Sequence, residues 1–407
     1  MKKKKREIKL WHKVIIAMIL GTIFGIIFKE KAVILKPIGT IFLNLIKMVV
    51  IPLIFFSVLY GITSLSDASA FARLGSKAIL IYGCTTTFAV LIGIIFANIF
   101  KPGVGLNINL HVDPQHHDAS QSIFDILMNI IPTNPIQAMA SSNTLQVVVF
   151  AFFSGFALIL IGDKGRNVRD FIISAAHLVF KMVELVIKLT PYGVFALMAW
   201  VIGEYGVDVI FILGKFAAVV FAALLLQYLL FGIMLFASGL NPIPFYKKMT
   251  NIQALAFATA SSKVTISTAV ADLREKMGVS KQSASFILPL GASMNMDATA
   301  IYLGISAVFF AQIIGIELTM GQYLIIIMTS TIGSIGAAGF PGGGMIMMGM
   351  VLSSVGLPLE GMSLLIGIDR FLDMLRTAIN ITGDCTVTVI IDKMEGNLNE
   401  ATYYSDK

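Results

Sequence analysis

Five stretches without a single charged residue dominate the sequence. Each reaches about the 20 residues needed to cross the hydrocarbon core of a bilayer; they cover residues 78–100, 126–162, 216–246, 298–316 and 318–359. Charged residues make up only 13% of the 407-residue chain, against about 25% in an ordinary soluble domain. A soluble fold of this size would have too few charges for its surface. The sequence therefore predicts an all-α, polytopic integral membrane protein.

A basic cluster precedes the first apolar run, at residues 14–28. The cluster consists of Lys2, Lys3, Lys4, Lys5, Arg6, Lys9 and Lys13. The run resembles a secretory signal, but Gly21, Gly25 and Lys29 leave no small-x-small cleavage pattern, and further spans follow. The positive-inside rule therefore predicts a first membrane helix with a cytoplasmic N-terminus.

The net charge of +7 comes largely from this cluster. It is better explained as a topology signal than as a nucleic-acid-binding patch. The two cysteines, Cys84 and Cys385, lie in separate apolar segments, so the sequence offers neither a disulfide framework nor a metal spacing.

Apolar runs and their breaks predict the first six spans near 13–29, 37–65, 77–100, 122–162, 168–200 and 206–238. The segment 101–118 reads as an external or interfacial loop. The stretch 122–162 is too long for one crossing, and Pro132, Pro135 and the polar residues 141–144 predict a kinked or broken helix there.

Later apolar segments are interrupted in mid-course by small and polar residues. Residues 249–271 carry Thr259, Ala260, Ser261, Ser262 and Lys263 at their middle. A lysine at the centre of a spanning helix costs about 2.5 to 3.5 kcal/mol, so a re-entrant hairpin with its tip here is the cheaper structure. The glycine-rich residues 333–344 predict a second tip within 318–359. Paired interruptions indicate an inverted-repeat transporter with a site near the midplane.

The last apolar helix, at 364–391, carries a polar stripe. Its members are Asp369, Asp373, Arg376, Thr377, Asn380 and Asp384, which fall within an arc of roughly 100°. The alternative to a functional site is a purely structural row of salt bridges between helices. Ionisable residues in a membrane are costly and by default functional, and three aspartates against one arginine leave negative charge that bound cations would balance.

The stripe matches an acidic amino acid in shape and charge. Arg376 offers a planar fork for one carboxylate, and Asp373 can accept the ammonium. Hairpin amides and Asn380 could hold the second carboxylate. Hard oxygen atoms suited to Na⁺ come from Asn295, Asp297, Asn380 and Asp384, and protons stay open as a co-substrate.

These residues resemble the dicarboxylate/amino acid:cation symporter family, which includes archaeal aspartate transporters and vertebrate excitatory amino acid transporters. The likeness runs from Lys47, Met48 and Pro52 through Ile-Pro-Thr-Asn-Pro-Ile at 131–136 to the final helix. Its most specific motifs are Asn-Met-Asp at 295–297 with Thr299, Gly-Phe-Pro-Gly at 339–342, and Asp-Met-Leu-Arg-Thr at 373–377 with Asn380, Gly383 and Asp384.

The resemblance implies a homotrimer, with eight transmembrane helices and two re-entrant hairpins in each protomer. It implies a static scaffold at 1–76 and 119–200, a transport domain at 77–101 and 201–393 that moves like an elevator, and a cytoplasmic tail at 394–407. The implied substrate contacts are Ser261, Ser262, Met296, Thr299, Phe340, Gly344, Asp373, Arg376, Thr377 and Asn380. The implied sodium ligands are Tyr82, Thr85, Thr86, Gly291, Ser293, Asn295, Asp297, Ser334, Ile335, Ala337, Asn380 and Asp384.

The chain departs from the family pattern at several positions. Ala260 stands where archaeal members carry Arg, and Lys263 follows the serines where a small residue is usual. Arg370 lies four residues before Met374, where vertebrate members carry Arg; it could compensate for that residue, or simply pair with Asp369. Leu303 replaces the Glu of proton-coupled vertebrate members, which argues against proton transport by that route. Ala337 replaces a threonine at a position whose main-chain carbonyl the family uses.

The predicted function is secondary active symport of L-aspartate or L-glutamate with cations, most simply Na⁺, into a bacterial cell across its inner membrane. Both termini would be cytoplasmic, membrane lipid would surround the chain, and no cofactor or nucleic acid is expected, with Na⁺ as a co-transported ion. A proton-coupled glutamate symporter or a C4-dicarboxylate symporter of the same fold is the alternative. Asp373 argues against the dicarboxylate, because a buried carboxylate would repel it.

Two other classes fit the sequence less well. An intramembrane aspartyl protease built on Asp297 and Asp384 would need neither Arg376 nor the paired hairpins, so no enzymatic activity is expected. A passive channel is disfavoured because paired hairpins over a charged site indicate alternating access.

Overall fold

The computed structural model describes residues 10–63, 74–105, 131–141, 143–336 and 343–405. Within these ranges the regular structure is helical, with no strand. The helices are α1 (Leu10–Phe28), α2 (Lys36–Thr63), α3 (Ser76–Phe100), α4 (Pro135–Ala140), α5 (Thr144–Leu160), α6 (Arg166–Lys188), α7 (Thr190–Tyr205), α8 (Asp208–Ala237), α9 (Pro242–Thr259), α10 (Ser262–Glu275), α11 (Lys281–Met294), α12 (Asp297–Ile314), α13 (Met320–Gly336), α14 (Gly343–Ser354), α15 (Met362–Met394) and α16 (Glu400–Tyr404).

Several of these helices are long and apolar enough to cross a membrane. Among the described residues there are five such stretches, or six if one bent pair counts as a single span. The five are His12–Tyr60, Ser76–Phe100, Asp208–Ala237, Lys281–Ile314 and Leu364–Met394. The sequence prediction of a polytopic, all-α membrane protein agrees with this arrangement, while the count of eight crossings stays a prediction.

Most of the predicted spans begin and end within two residues of an observed helix, or three for the first. The two exceptions are 122–162, described below, and the predicted single span at 168–200. There the chain forms α6 and α7, which meet at an angle of 50°. Pro191 lies in the first turn of α7, where its missing N–H is tolerated, and it cannot continue an unbroken helix from α6.

The predicted break in 122–162 falls partly outside the described residues. From residue 131 onward the chain is divided as expected, because α4 ends at Ala140 and α5 starts at Thr144. The Asn134 side chain caps α4 by accepting from the backbone N–H groups of Ile136 and Gln137, and Asn143 caps α5 by accepting from Gln146.

The first interrupted segment has the predicted break. Helix α9 ends at Thr259, Ala260 takes a left-handed conformation with φ 49°, and Ser261 caps α10 through a bond from the Val264 N–H. A non-glycine residue at this φ is uncommon, so the chain reverses here under local constraint. Helices α9 and α10 then pack against each other.

The second interrupted segment consists of α13 and α14, which also pack together. Its predicted tip lies largely outside the described residues, which resume at Gly343. Helix α15 has neighbours on many sides, because it contacts α7, α8, α9, α11, α12 and α14. Helix α12 is almost entirely buried and packs on α3. This packing brings the polar stripe of α15 against the start of α12.

Candidate functional site

The polar stripe of α15 is buried along its length. Asp369, Asp373, Arg376, Thr377, Asn380 and Asp384 are each no more than 6% exposed. Burial of so many polar groups is costly unless each has a partner or a ligand. Their contacts divide into two clusters, joined at Asn380.

The first cluster surrounds Arg376, a fully buried side chain. Its Nη2 donates to Asp369 Oδ1 at 2.9 Å and to Asp373 Oδ1 at 3.2 Å. The guanidinium carbon lies 3.9 Å from the ring centroid of Tyr302, in cation–π geometry. The Nε and Nη1 atoms are buried and have no partner among the described residues. The guanidinium is therefore held from one side and keeps donors available for another acceptor.

Gly344 lies directly against this guanidinium. A Cβ atom built at Gly344 would lie only 2.8 Å from Arg376 Nη2, so a side chain there would displace the arginine. Gly343 and Gly344 also open α14. The first N–H groups of a helix have no partner within that helix and favour negative charge.

Arg370 contacts Asp373 and not its sequence neighbour. Its Nη1 lies 3.3 Å from Asp373 Oδ2, while Asp369 pairs with Arg376. The alternative in which Arg370 only pairs with Asp369 is therefore not the arrangement in the structure. With both arginines counted, this cluster carries two positive and two negative charges.

The second cluster is centred on Asp297, which is fully buried at the start of α12. Its Oδ1 accepts from the hydroxyl groups of Thr86 at 2.8 Å and Thr85 at 3.3 Å. Its Oδ2 accepts from Gln227 Nε2 at 3.2 Å. The same two threonines lie 3.4 Å from Asn295 Oδ1. Oxygen atoms from α3 and from the break between α11 and α12 thus converge.

Asp384 extends this cluster from α15. Its Oδ1 accepts from Asn295 Nδ2 at 3.0 Å, and its Oδ2 is buried without a partner among the described residues. A Cβ built at Gly291 would meet Asp384 Oδ1 at 2.7 Å and Tyr82 Oη at 2.5 Å. Gly291 therefore has to be small, and the Tyr82 hydroxyl, which donates to the Ile287 carbonyl at 3.2 Å, lies beside the carboxylate.

Asn380 connects the two clusters. Its Oδ1 accepts from the backbone N–H of Ala298 at 2.8 Å, and its Nδ2 lies 3.3 Å from Thr299 Oγ1. One amide side chain thus fixes the start of α12 against α15. This contact lies one turn from Arg376 and one turn from Asp384.

The other predicted residues have local or undescribed contacts. Thr377, Ser293 and Ser334 donate to backbone carbonyls of their own helices, at Asp373, Pro289 and Thr331. Met296, Ser261 and Ser262 are buried at helix starts. Ala337, Phe340 and the Ile335 side chain lie outside the described part of the chain.

Three contacting residues were absent from the predicted ligand sets: Gln227, Tyr302 and Asp369. Gln227 gave a signal that could have been used, because it is an amide inside the charge-free run 216–246, and polar residues in such runs are usually functional. Asp369 was recognised as part of the stripe. Tyr302 gave no such signal, since an aromatic residue on an apolar helix is ordinarily core.

The oxygen-rich second cluster suits a hard monovalent cation better than a transition metal. Among the described residues, no group of three or more His, Cys, Asp or Glu side chains could hold a metal ion. Buried donors beside buried oxygen acceptors, inside a bundle of membrane-length helices, are typical of the substrate and ion sites of membrane transporters.

The chain belongs to the family described as "Sodium:dicarboxylate symporter family", which it matches over residues 10–394. It is similar to a "Proton/sodium-glutamate symport protein" of Bacillus caldotenax, with 35% identity over 97% of this chain and 96% of the relative. It is similar also to a "C4-dicarboxylate transport protein" of Bacillus subtilis (strain 168), with 33% identity over 95% of this chain and 94% of the relative. The family resemblance in the sequence is thereby confirmed.

Proposed function

We propose that the protein is a secondary active symporter that takes up an acidic amino acid, L-aspartate or L-glutamate, together with Na⁺. The observation that carries the proposal is the buried Arg376 guanidinium, whose Nε and Nη1 have no partner among the described residues, beside Asp373. A planar fork with two open N–H donors matches one carboxylate. A carboxylate a few ångströms away on the same helix matches an ammonium.

The groups around Arg376 support a substrate-binding site at its guanidinium. Gly344 has no side chain, so its backbone packs directly against the guanidinium, and the amide groups that open α14 offer further donors for an anion. Asn380 and Thr299 line the neighbouring turn. The remaining proposed contacts are Ser261, Ser262, Met296, Phe340 and Thr377, carried over from the family resemblance.

The second cluster supports a cation as co-substrate. Asp297 and Asp384 are two buried carboxylates with no arginine or lysine among their described contacts. Two buried negative charges without a counter-charge are costly, and a bound Na⁺ would remove that cost. The proposed ligands also include Tyr82, Thr85, Thr86, Gly291, Ser293, Asn295, Ser334, Ile335, Ala337 and Asn380, some through backbone carbonyls.

The alternative substrate is a C4-dicarboxylate, and the alternative coupling ion is the proton. Both alternatives occur among the similar proteins, since one is a "Proton/sodium-glutamate symport protein" and another a "C4-dicarboxylate transport protein". One structural observation favours the dicarboxylate: Arg370 lies on Asp373 and offsets the charge that would repel a dianion.

The test is uptake of radiolabelled L-aspartate into proteoliposomes that hold the purified protein. An inward Na⁺ gradient, an inward proton gradient, and no gradient are compared. Concentrative uptake with Na⁺ alone is expected, abolished in Arg376→Cys and retained in Arg274→Ala, an exposed arginine of α10. Uptake driven by protons alone would overturn the sodium assignment. Absence of aspartate and glutamate uptake, with uptake of succinate, would make the protein a dicarboxylate carrier.

An elevator motion within a homotrimer is part of the proposal, with both termini in the cytoplasm of a bacterium. The scaffold would comprise 1–76 and 119–200, and the transport domain 77–101 and 201–393.

The Lys263 ammonium lies 5.0 Å from the Phe180 ring centroid, and this contact joins the two proposed domains. A cysteine pair at these positions, in a chain lacking Cys84 and Cys385, should stop uptake when it is joined by a bifunctional thiol reagent with a cleavable disulfide, and uptake should return on reduction. Unchanged uptake after complete cross-linking would exclude this motion.

A further inference from the structure

Arg370 is a second arginine in contact with Asp373, the carboxylate that would bind the ammonium of the substrate. Its Nη1 lies 3.3 Å from Asp373 Oδ2, and Arg376 Nη2 lies 3.2 Å from Asp373 Oδ1. Each oxygen of Asp373 therefore faces a different guanidinium. An arginine side chain does not lose its proton in proteins, so both partners are permanent positive charges.

The two arginines are held with different strength. Arg376 is fully buried and is fixed by Asp369 as well as Asp373. Arg370 is 15% exposed and makes the longer contact. It also borders a small cavity of about 60 Å³, lined in part by Val186. Arg370 is thus the partner of Asp373 that can move away.

We propose that Arg370 decides how this site discriminates between acidic amino acids and C4-dicarboxylates, an inference that rests on the proposed function. The ammonium of an amino acid takes the Asp373 oxygen that Arg370 holds and displaces that arginine. A C4-dicarboxylate has no ammonium, so Arg370 stays on Asp373 and offsets its negative charge. The same binding site then accepts both substrate classes.

The charge balance gives the direction of the effect. Asp369, Asp373, Arg370 and Arg376 together are neutral. Without Arg370 the set carries one net negative charge, which repels a dianion. Loss of Arg370 also removes the group that competes with the substrate ammonium for Asp373. Affinity for the two ligand classes should therefore change in opposite directions.

The experiment measures binding to the purified full-length protein in saturating Na⁺, with L-aspartate as the ligand and succinate as its competitor. In Arg370→Ala, L-aspartate should bind about 3- to 10-fold more tightly, and succinate about 10-fold or more weakly, the effect expected for one contact to a charged group. Arg370→Lys keeps the charge and should retain succinate binding. The control is Arg166→Ala, an exposed arginine at the start of α6.

Several results would overturn the assignment. A fall in affinity for both ligands by the same factor would make Arg370 a structural residue. Succinate binding that is unchanged in Arg370→Ala, or lost as completely in Arg370→Lys, would exclude charge compensation. Failure of the wild-type protein to bind either ligand is a separate result: it would overturn the proposed function, and this inference with it, before any substitution is made.

Discussion

The Nδ2 amide of Asn295 donates to Oδ1 of Asp384 at 3.0 Å. This bond joins the break between α11 and α12 to the middle of α15. Because the Asn295 Oδ1 atom faces Thr85 and Thr86 at 3.4 Å, one side chain connects three segments that lie far apart in the sequence. A cation bound here would therefore lie beside the break that leads into α12, and the first turn of α12 also holds Asn380 through the Ala298 N–H.

Replacing Asp384 by Asn should weaken Na⁺ binding. The substitution removes a buried negative charge while it preserves size, and the loss of one charged contact corresponds to at least about 10-fold in affinity. The measurement is the Na⁺ concentration that gives half-maximal L-aspartate uptake. Asp208→Asn, at an exposed carboxylate at the start of α8, is the control. An unchanged Na⁺ dependence in Asp384→Asn would remove this residue from the cation site.

Replacing Gly344 by Ala should reduce substrate affinity without unfolding the protein. The new methyl group would lie 2.8 Å from Arg376 Nη2, so the guanidinium must shift from the position in which it faces a carboxylate. A reduction of about 10-fold or more is expected, since small misplacements at a binding group have large effects. Gly214→Ala is the matched control, because a Cβ there meets nothing within 4 Å. Equal affinity in both variants would place the substrate elsewhere.

The sequence predicted what depends on periodicity within one segment. The polar stripe of α15 follows from a spacing of 3.6 residues per turn, and Asp373 and Arg376 are neighbours because they lie one turn apart. The break at Ala260 followed from polar residues at the centre of a short apolar run. These inferences need no knowledge of how helices pack.

Contacts between distant segments could not be derived in this way. That Thr85 and Thr86 meet Asp297 depends on the packing of α3 against α12, and the sequence indicated it only through the family resemblance. Gln227 and Tyr302 join the clusters for the same reason. The 50° bend between α6 and α7 does not follow from the apolar pattern of 168–200, which predicts one continuous span through Pro191.

The contact of Lys263 with aromatic rings should stabilise the present arrangement of α10 against α6. Its ammonium lies 5.0 Å from the Phe180 centroid and 5.9 Å from that of Tyr60. A cation–π contact of this kind contributes about 0.5 to 2 kcal/mol. A double-mutant cycle of Lys263→Met and Phe180→Leu, measured by thermal unfolding in detergent, should give a coupling energy in that range. Additive effects would mean that the two side chains do not interact.

Lys248 makes several of the contacts that hold the C-terminal helix α16 on the rest of the protein, beside the Lys393–Glu400 ion pair and the bond from the Asn399 N–H to the Gly278 carbonyl. Lys248 Nζ donates to the carbonyls of Lys276 at 2.7 Å, and of Thr402 and Tyr403 at 2.9 Å each. An ammonium has three N–H donors, one for each of these carbonyls. Lys248→Met would leave the carbonyls without this donor, at a cost of about 1 to 3 kcal/mol for each one that stays buried.

The expected result in Lys248→Met is release of the tail. Limited proteolysis should then cleave after residue 395 at a rate well above that of the wild-type protein. The hydroxyl of Tyr403 donates to the Asn241 carbonyl at 2.9 Å. The chain at Tyr403 should become accessible to the protease at the same time. The matched control is Lys247→Met, since Lys247 is the neighbouring lysine and is exposed. If both variants are cleaved at the same rate, the tail is held by Tyr403 and its neighbours, and Lys248 is not the residue that fixes it.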